Sequence, residues 1–90
     1  KKTLGKVSNY YSKIGVAEVE LTANDLTQGN TILIQGPSTG TLEVKVESLM
    51  KEDHQTRTAT KGDKVGIKVP SKVRKNDGVF LWVERTENKD

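Results

Sequence analysis

The segment from Gly36 to Gly40, with the sequence GPSTG, has the residue types of a loop that binds phosphate. Glycines let backbone N–H groups approach an anion, and the hydroxyls of Ser38 and Thr39 can hydrogen-bond to it. A nucleotide loop of the Walker type also needs a lysine and a helix N-terminus after its last glycine. Here Thr41 follows and an alternating segment begins, so we predict a hairpin turn with no nucleotide and no cofactor.

Residues able to act in catalysis are few and separate along the chain. The single histidine, His54, lies in the polar segment KEDHQTR, which is typical of a loop, and the chain has no cysteine. The acidic pair Glu18 and Glu20 alternates with apolar residues, as on the solvent side of a strand. A metal site would need further ligands at fixed geometry. We therefore predict that the chain is not an enzyme and holds no metal.

Basic residues are concentrated in one segment of a chain whose formal net charge is +3. Residues 61–75 hold six basic residues against Asp63 alone, and these are Lys61, Lys64, Lys68, Lys72, Arg74 and Lys75. Such a cluster is typical of a surface that contacts a polyanion such as RNA. Lysines also commonly protect edge strands from aggregation. Both interpretations are compatible with the sequence.

The segment VFLWV, residues 79–83, contains the two aromatic residues with the clearest binding potential. Alternation places Val79, Leu81 and Val83 on one side and Phe80 and Trp82 on the other. An outward Phe80 or Trp82 can stack on a base or dock on a neighbouring domain. The alternative is that both residues cover an end of the fold, and the sequence leaves this choice open.

The elements that must position these residues are strands, because apolar residues recur with a period of two. In residues 42–47, Leu42, Val44 and Val46 alternate with charged residues, as in a strand with one buried side. The same pattern predicts about six strands, in the segments LGKVSNYY, GVAEVEL, NTILIQG, TLEVKVESLM, KVGIKV and VFLWV. Turn residues separate them at spacings that favour a closed barrel over an open sheet. We therefore predict an all-β fold, a small closed β-barrel.

Length and composition fit one small domain. Ninety residues, of which 32% are hydrophobic, predict a single domain over residues 1–90 with a thin core over about 5–83 and a charged tail at 84–90. The absence of cysteine favours a reducing, cytoplasmic setting, and no apolar run is long enough to span a membrane. The chain does not begin with methionine, which indicates a piece of a longer protein.

The order of motifs resembles the second domain of translational GTPases such as elongation factor Tu. Asn30 and Asn76 stand where that family usually has Asp and Gly, and both are turn positions that accept Asn. Within the pattern, NYYSKIGVAEVEL is closer to small stand-alone translation-factor-like proteins and to the C-terminal barrel of the U32 peptidases, the collagenase-like proteases. The matching segments are GKV (5–7), IGVAEVEL (14–21), LTQGNTILIQG (26–36), VESL (46–49), ATKGDKVGIKV (59–69) and VRKNDGVF (73–80).

This resemblance implies a six-stranded Greek-key barrel and two functional hypotheses. The first is a non-catalytic module that contacts RNA, or a ribosome- or tRNA-associated partner, through the six basic residues of 61–75. Those residues would make salt-sensitive phosphate contacts, and Phe80 or Trp82 would add stacking. The second is an accessory domain of a U32-type peptidase that docks on protein through an apolar patch around Phe80 and Trp82.

Overall fold

The computed structural model describes residues 1–83 and contains ten strands in that range with no helix, so the all-β prediction is confirmed. The predicted charged tail, residues 84–90, lies outside the described residues. The strands are β1 (Lys2–Tyr11), β2 (Val16–Leu21), β3 (Leu26–Thr27), β4 (Thr31–Gly36), β5 (Gly40–Lys45), β6 (Leu49–Lys51), β7 (His54–Gln55), β8 (Thr58–Ala59), β9 (Lys64–Lys68) and β10 (Gly78–Trp82).

The six predicted strands correspond to β1, β2, β4, β5, β9 and β10, which are the strands of five or more residues. The remaining four have two or three residues, too few for alternation to be read from the sequence. The segment TLEVKVESLM was predicted as one strand and is divided into β5 and β6. The strand is interrupted at Val46, because this residue bonds to the segment before β4. Its N–H donates to the carbonyl of Asn30, and its carbonyl accepts from the N–H of Gly29.

Two antiparallel sheets form the fold. Eight strands pair in the order β5-β4-β10-β1-β2-β9-β6-β7, and β3 pairs with β8. Within residues 1–83 no pairing joins β5 to β7, so the closed barrel of the prediction is not seen in the hydrogen-bonded strands. The end strands explain this difference. β7 has only two residues, and the chain after β5 turns to Gly29 and Asn30 instead of meeting it.

A single hydrophobic core lies against both sheets. Leu26 of β3 and Ala59 of β8 belong to the same cluster as the buried residues of the large sheet. The alternation predicted for β2 is confirmed, because Ala17, Val19 and Leu21 are buried while Glu18 and Glu20 are half-buried. The remaining members of the core are Leu4, Val7, Ala17, Val19, Leu21, Ile32, Ile34, Val44, Val46, Leu49, Val65, Ile67, Val73 and Val79.

The GPSTG segment is the hairpin between β4 and β5. Gly36 pairs with Gly40, and Gly40 has φ of 73°, a left-handed conformation that favours glycine. The hydroxyl of Thr39 donates to a carboxylate oxygen of Asp77. The hairpin predicted from the sequence is therefore confirmed. The hydroxyl of Thr39, which by residue type could bind an anion, is instead hydrogen-bonded within the fold.

Candidate functional site

The six basic residues of 61–75 do not lie side by side. Lys64 and Lys68 are exposed at the two ends of β9, where Lys64 pairs with Glu20 and Lys68 with Val16. They are four positions apart along the strand, a distance of about 13 Å. Lys61 lies in the preceding turn, where its backbone N–H donates to Asp25. The regular structure therefore spaces these charges along the molecule.

The other three basic residues, Lys72, Arg74 and Lys75, are exposed in the loop that connects β9 to β10. The loop is fixed to β1 near its end, because the N–H of Asn76 donates to the carbonyl of Val7 and the N–H of Val7 to the carbonyl of Asp77.

Acidic side chains interrupt the basic surface on the outer side of the sheet. Glu20 of β2 stands between Lys6 of β1 and Lys64 of β9, since it pairs with both residues. This row alternates positive, negative and positive charge. The prediction that the six residues bind RNA is not tested by this arrangement and stays a prediction.

Asp63, the one acidic residue of the basic segment, is engaged by its neighbours. The backbone N–H of Thr60 donates to its carboxylate at 2.8 Å, and the ammonium group of Lys51 lies 3.2 Å from it. The Thr60 N–H, followed by the hydrogen bond and charge of Lys51, lowers the pKa of Asp63 below its ordinary value of 3.8. Asp63 therefore holds the turn before β9 and pairs with a lysine from β6.

Phe80 and Trp82 occupy the outer side of β10, opposite to the buried Val79. Phe80 is half-buried beside Leu33 of β4, and the ammonium group of Lys1 lies 4.5 Å from the centroid of its ring. Trp82 is 49% exposed, and Val83 next to it is 50% exposed. The outward residues form an apolar surface at the end of β10, which we call the Trp82 face (Leu33, Phe80 and Trp82).

A second outward surface, which the sequence analysis missed, surrounds Gly66 of β9. Gly66 pairs with Glu18 of β2 on one side and with Met50 of β6 on the other. Because glycine has no side chain, the sheet has a notch at this point. The notch is part of a groove of about 380 Å³, which we call the Gly66 groove, lined by Tyr11, Ile14, Val16, Glu18, Met50, Glu52, Asp53, Lys64, Val65 and Gly66. The sequence feature that could have indicated this groove is Gly66 itself, a lone glycine within a predicted strand.

A larger groove of about 450 Å³ lies beside β5. It is lined by Thr27, Gln28, Gly29, Lys45, Val46, Glu47 and Arg57. The backbone groups along it already have partners, since Gln28 donates to Arg57 and Gly29 to Val46. Its charges are of both signs. We assign this groove no role.

The histidine and the carboxylates of residues 1–83 do not form a metal site. His54 is exposed on β7, as its position in a polar segment indicates. Within that range, no three His, Asp or Glu side chains are placed so that they could hold a metal ion. The described part of the chain also has no helix with the length and apolar character needed to cross a membrane.

Comparison with known proteins relates the chain to proteases. It is 39% identical over 87 residues to a protein named collagenase from Porphyromonas gingivalis, covering 97% of this chain and 24% of that protein. It is 43% identical over 81 residues to an uncharacterized protease of Methanocaldococcus jannaschii, covering 90% of this chain and 20% of that protein. The chain therefore spans between a fifth and a quarter of the length of these relatives. No protein-family model matches it.

The fold is similar to a solved domain of a related kind. The crystal structure of the C-terminal domain of a Geobacillus thermoleovorans protein described as a U32 peptidase superposes with a TM-score of 0.83 and 21% sequence identity. The match covers 89% of this chain and 99% of that domain. The resemblance to the C-terminal barrel of the U32 peptidases is thus supported at the level of the fold. The likeness to the second domain of translational GTPases stays a prediction.

Proposed function

We propose that the chain is a non-catalytic accessory domain of a U32-type peptidase and that it docks through the Trp82 face on the catalytic portion of such an enzyme. The observation that carries the proposal is the extent of the similarity. Identities of 39% and 43% are confined to 24% and 20% of two proteins named as a collagenase and a protease. A solved C-terminal domain of this kind has the same fold over 99% of its length.

The Trp82 face has the composition of a protein interface. Trp and Phe are enriched among the residues that contribute most to protein binding, and charged residues are depleted at interface centres. Thr31 lies opposite Trp82 and Thr3 opposite Phe80, so polar groups border the apolar residues. Burying Trp82 against a partner would remove apolar surface from water that the isolated domain leaves exposed.

We also propose that the two sheets together form a barrel. The sharing of one core by both sheets supports a barrel-like enclosure, and the Greek-key order of translation-factor barrels is retained as an expectation.

A binding experiment with a relative tests the docking role. The Methanocaldococcus jannaschii protease, shortened by the segment that matches this chain, is mixed with the purified chain and followed by isothermal titration calorimetry. We expect a complex that Trp82→Ala weakens at least about tenfold, which corresponds to 1.4 kcal/mol. The matched control is Tyr11→Ala, an exposed aromatic residue outside the Trp82 face, which should leave the affinity unchanged.

Binding to RNA instead of the shortened protease would contradict the docking proposal. If the chain fails to bind the shortened protease but binds tRNA at low salt, and if charge reversal at Lys68, Lys72 and Arg74 removes that binding, the docking proposal is wrong. Salt-sensitive RNA binding that these three reversals leave unchanged would exclude Lys68, Lys72 and Arg74 from the RNA site.

A further inference from the structure

We propose that the Gly66 groove binds an extended polypeptide that carries a basic side chain next to an apolar one, supplied by the substrate of the peptidase. The assignment of this source rests on the proposed function, because an accessory domain that docks through the Trp82 face leaves the groove open. The groove's capacity to bind such a peptide is a property of the isolated chain and can be tested without the catalytic portion.

The first step of the argument is the shape of the sheet around Gly66. A Cβ atom placed there would lie 3.3 Å from Cγ1 of Val16 and 4.0 Å from Cβ of Met50. Gly66 is absent from the residues with positive φ, so its backbone does not require glycine. The missing side chain therefore has its main effect on the surface, where it leaves space between Val16 and Met50 for a group from a ligand.

The second step is the apolar lining. Ile14 is 60% exposed and Tyr11 is 43% exposed, although both are large apolar side chains at the border of the same notch. Val16 and Met50 are half-buried beside them. A ligand that filled the groove would contact these four lining residues and remove their apolar surface from water.

The third step is the charge, which determines the chemistry of the ligand. Three carboxylates, Glu18, Glu52 and Asp53, line the groove against the single ammonium group of Lys64. The groove therefore has a formal charge of −2 in a chain whose total is +3. Carboxylates beside apolar surface complement a lysine or arginine side chain, whose methylene stem packs on apolar groups while its head meets the acids.

The fold fixes the side chain of Glu18 by a hydrogen bond and places Asp53 in a tight turn. The hydroxyl of Ser8 donates to Oε1 of Glu18 at 2.7 Å, which fixes the side chain on the outer side of β2. Asp53 follows Glu52 in the two-residue turn between β6 and β7, where Lys51 pairs with His54. A carboxylate at a rigid position loses less entropy when it binds a cation than one on a free side chain.

The position of the groove leaves it accessible when the Trp82 face is covered. Tyr11 is the last residue of β1, whereas Lys2 at its start pairs with Leu81, next to Trp82. The ten-residue strand places Tyr11 about 30 Å from Lys2 along its length. A protein seated on the Trp82 face would not have to cover the groove.

The test uses the full 90-residue chain and a fluorescein-labelled hexapeptide in which lysine alternates with valine. Fluorescence anisotropy at low salt should show saturable binding that weakens as salt is raised, because the carboxylates are exposed to screening. Peptides with glutamate in place of lysine, or serine in place of valine, should bind at least about tenfold more weakly. Equal binding of the glutamate peptide, or no binding of the lysine peptide, would overturn the proposal.

Variants locate the site. Gly66→Val fills the notch, and we expect it to weaken peptide binding at least about tenfold, in line with the burial of one apolar side chain. Glu52→Gln combined with Asp53→Asn removes two charges and should weaken binding about fivefold. Ile14→Ser tests the lining without touching the core, so the proposal can be judged even if Gly66→Val does not fold.

Glu43→Gln, an exposed carboxylate on β5, is the matched control and should leave the peptide affinity unchanged. Peptide binding that all the groove variants preserve would refute the groove as the site. Trp82→Ala should not alter peptide binding, so loss of docking and loss of peptide binding are separate results.

Discussion

The carboxylate of Asp77 is packed directly against Gly36, at the end of the strand that enters the GPSTG hairpin. A Cβ atom on Gly36 would lie 1.9 Å from Oδ1 of Asp77, a distance that non-bonded atoms cannot adopt. Asp77 is only 3% exposed, so its side chain has little room to move away. Its Oδ2 accepts hydrogen bonds from the hydroxyl of Thr39 and from the backbone N–H of Arg74. One buried carboxylate thus joins the hairpin to the loop before β10.

Gly36→Ala should destabilise the protein through this contact. Overpacking of a filled site typically costs about 1–3 kcal/mol, and here the neighbour that must move is a buried, hydrogen-bonded carboxylate. Urea denaturation followed by circular dichroism measures the change. Gly66→Ala is the control, since the nearest atom to its new Cβ is a side-chain methyl group at 3.3 Å. Equal stability of the two variants would contradict the account.

Removing Asp77 should cost more than removing either of its partners. Asp77→Ala leaves the Thr39 hydroxyl and the Arg74 N–H without their acceptor, so two hydrogen bonds are lost at about 0.5–1.5 kcal/mol each. Thr39→Val should cost about 0.5–1.5 kcal/mol, because one hydrogen bond is lost. The double variant isolates the coupling between the two side chains. Strictly additive losses would show that Thr39 and Asp77 do not act together.

Asp63 should make stability depend on pH in the acidic range. Its pKa is lowered in the fold, mainly by the Thr60 N–H, so the folded state favours the carboxylate form. Its contribution is therefore present above the unfolded pKa, near 3.8, and is lost as the pH falls through the lower folded pKa. Asp63→Asn should be less stable than the natural chain at pH 7, and the difference should shrink below about pH 4. A difference that stays constant down to pH 2 would exclude this origin.

Two isoleucines test the boundary between core and surface. Ile34 is fully buried on β4, so Ile34→Ala should lower the free energy of unfolding by about 2–5 kcal/mol. Ile14 is 60% exposed at the Gly66 groove, so Ile14→Ala should change it by less than about 0.5 kcal/mol. Thermal denaturation of both variants measures the contrast. A large loss from Ile14→Ala would mean that the groove lining supports the core.

The turn between β6 and β7 holds strain that can be relieved. Glu52 and Asp53 have φ of 52° and 66°, a conformation that L-residues other than Asn and Asp rarely adopt. Replacing the pair by Asn and Gly should raise the free energy of unfolding by about 1 kcal/mol, because that dipeptide is favoured in such turns. The same variant should weaken peptide binding, since it removes both carboxylates. Ser38→Gly, where φ is not positive, should not stabilise the hairpin.

The functional surfaces were predictable to different degrees. Alternation along five residues predicts that Phe80 and Trp82 share one side of the strand and Val79 lies on the other. The structure decides which side is outward, because Val79 is buried and Trp82 is exposed. The spacing of the basic residues was not predictable. Lys64 and Lys68 are close in sequence, but the charges around them depend on strand pairing. Glu20 lies opposite Lys64 only because β2 pairs with β9 in one particular register.

The sequence by itself determined the class of the fold, the long strands and their buried residues. These features are local, since a period of two places Val19 and Leu21 inside and Glu18 and Glu20 outside whatever the partner strand is. Only the tertiary structure decided that the large sheet ends at β5 and β7, that Asp77 fills the space beside Gly36, and that Gly66 lies between Glu18 and Met50. These features depend on strand pairing and packing between residues far apart in the chain, which no local pattern encodes.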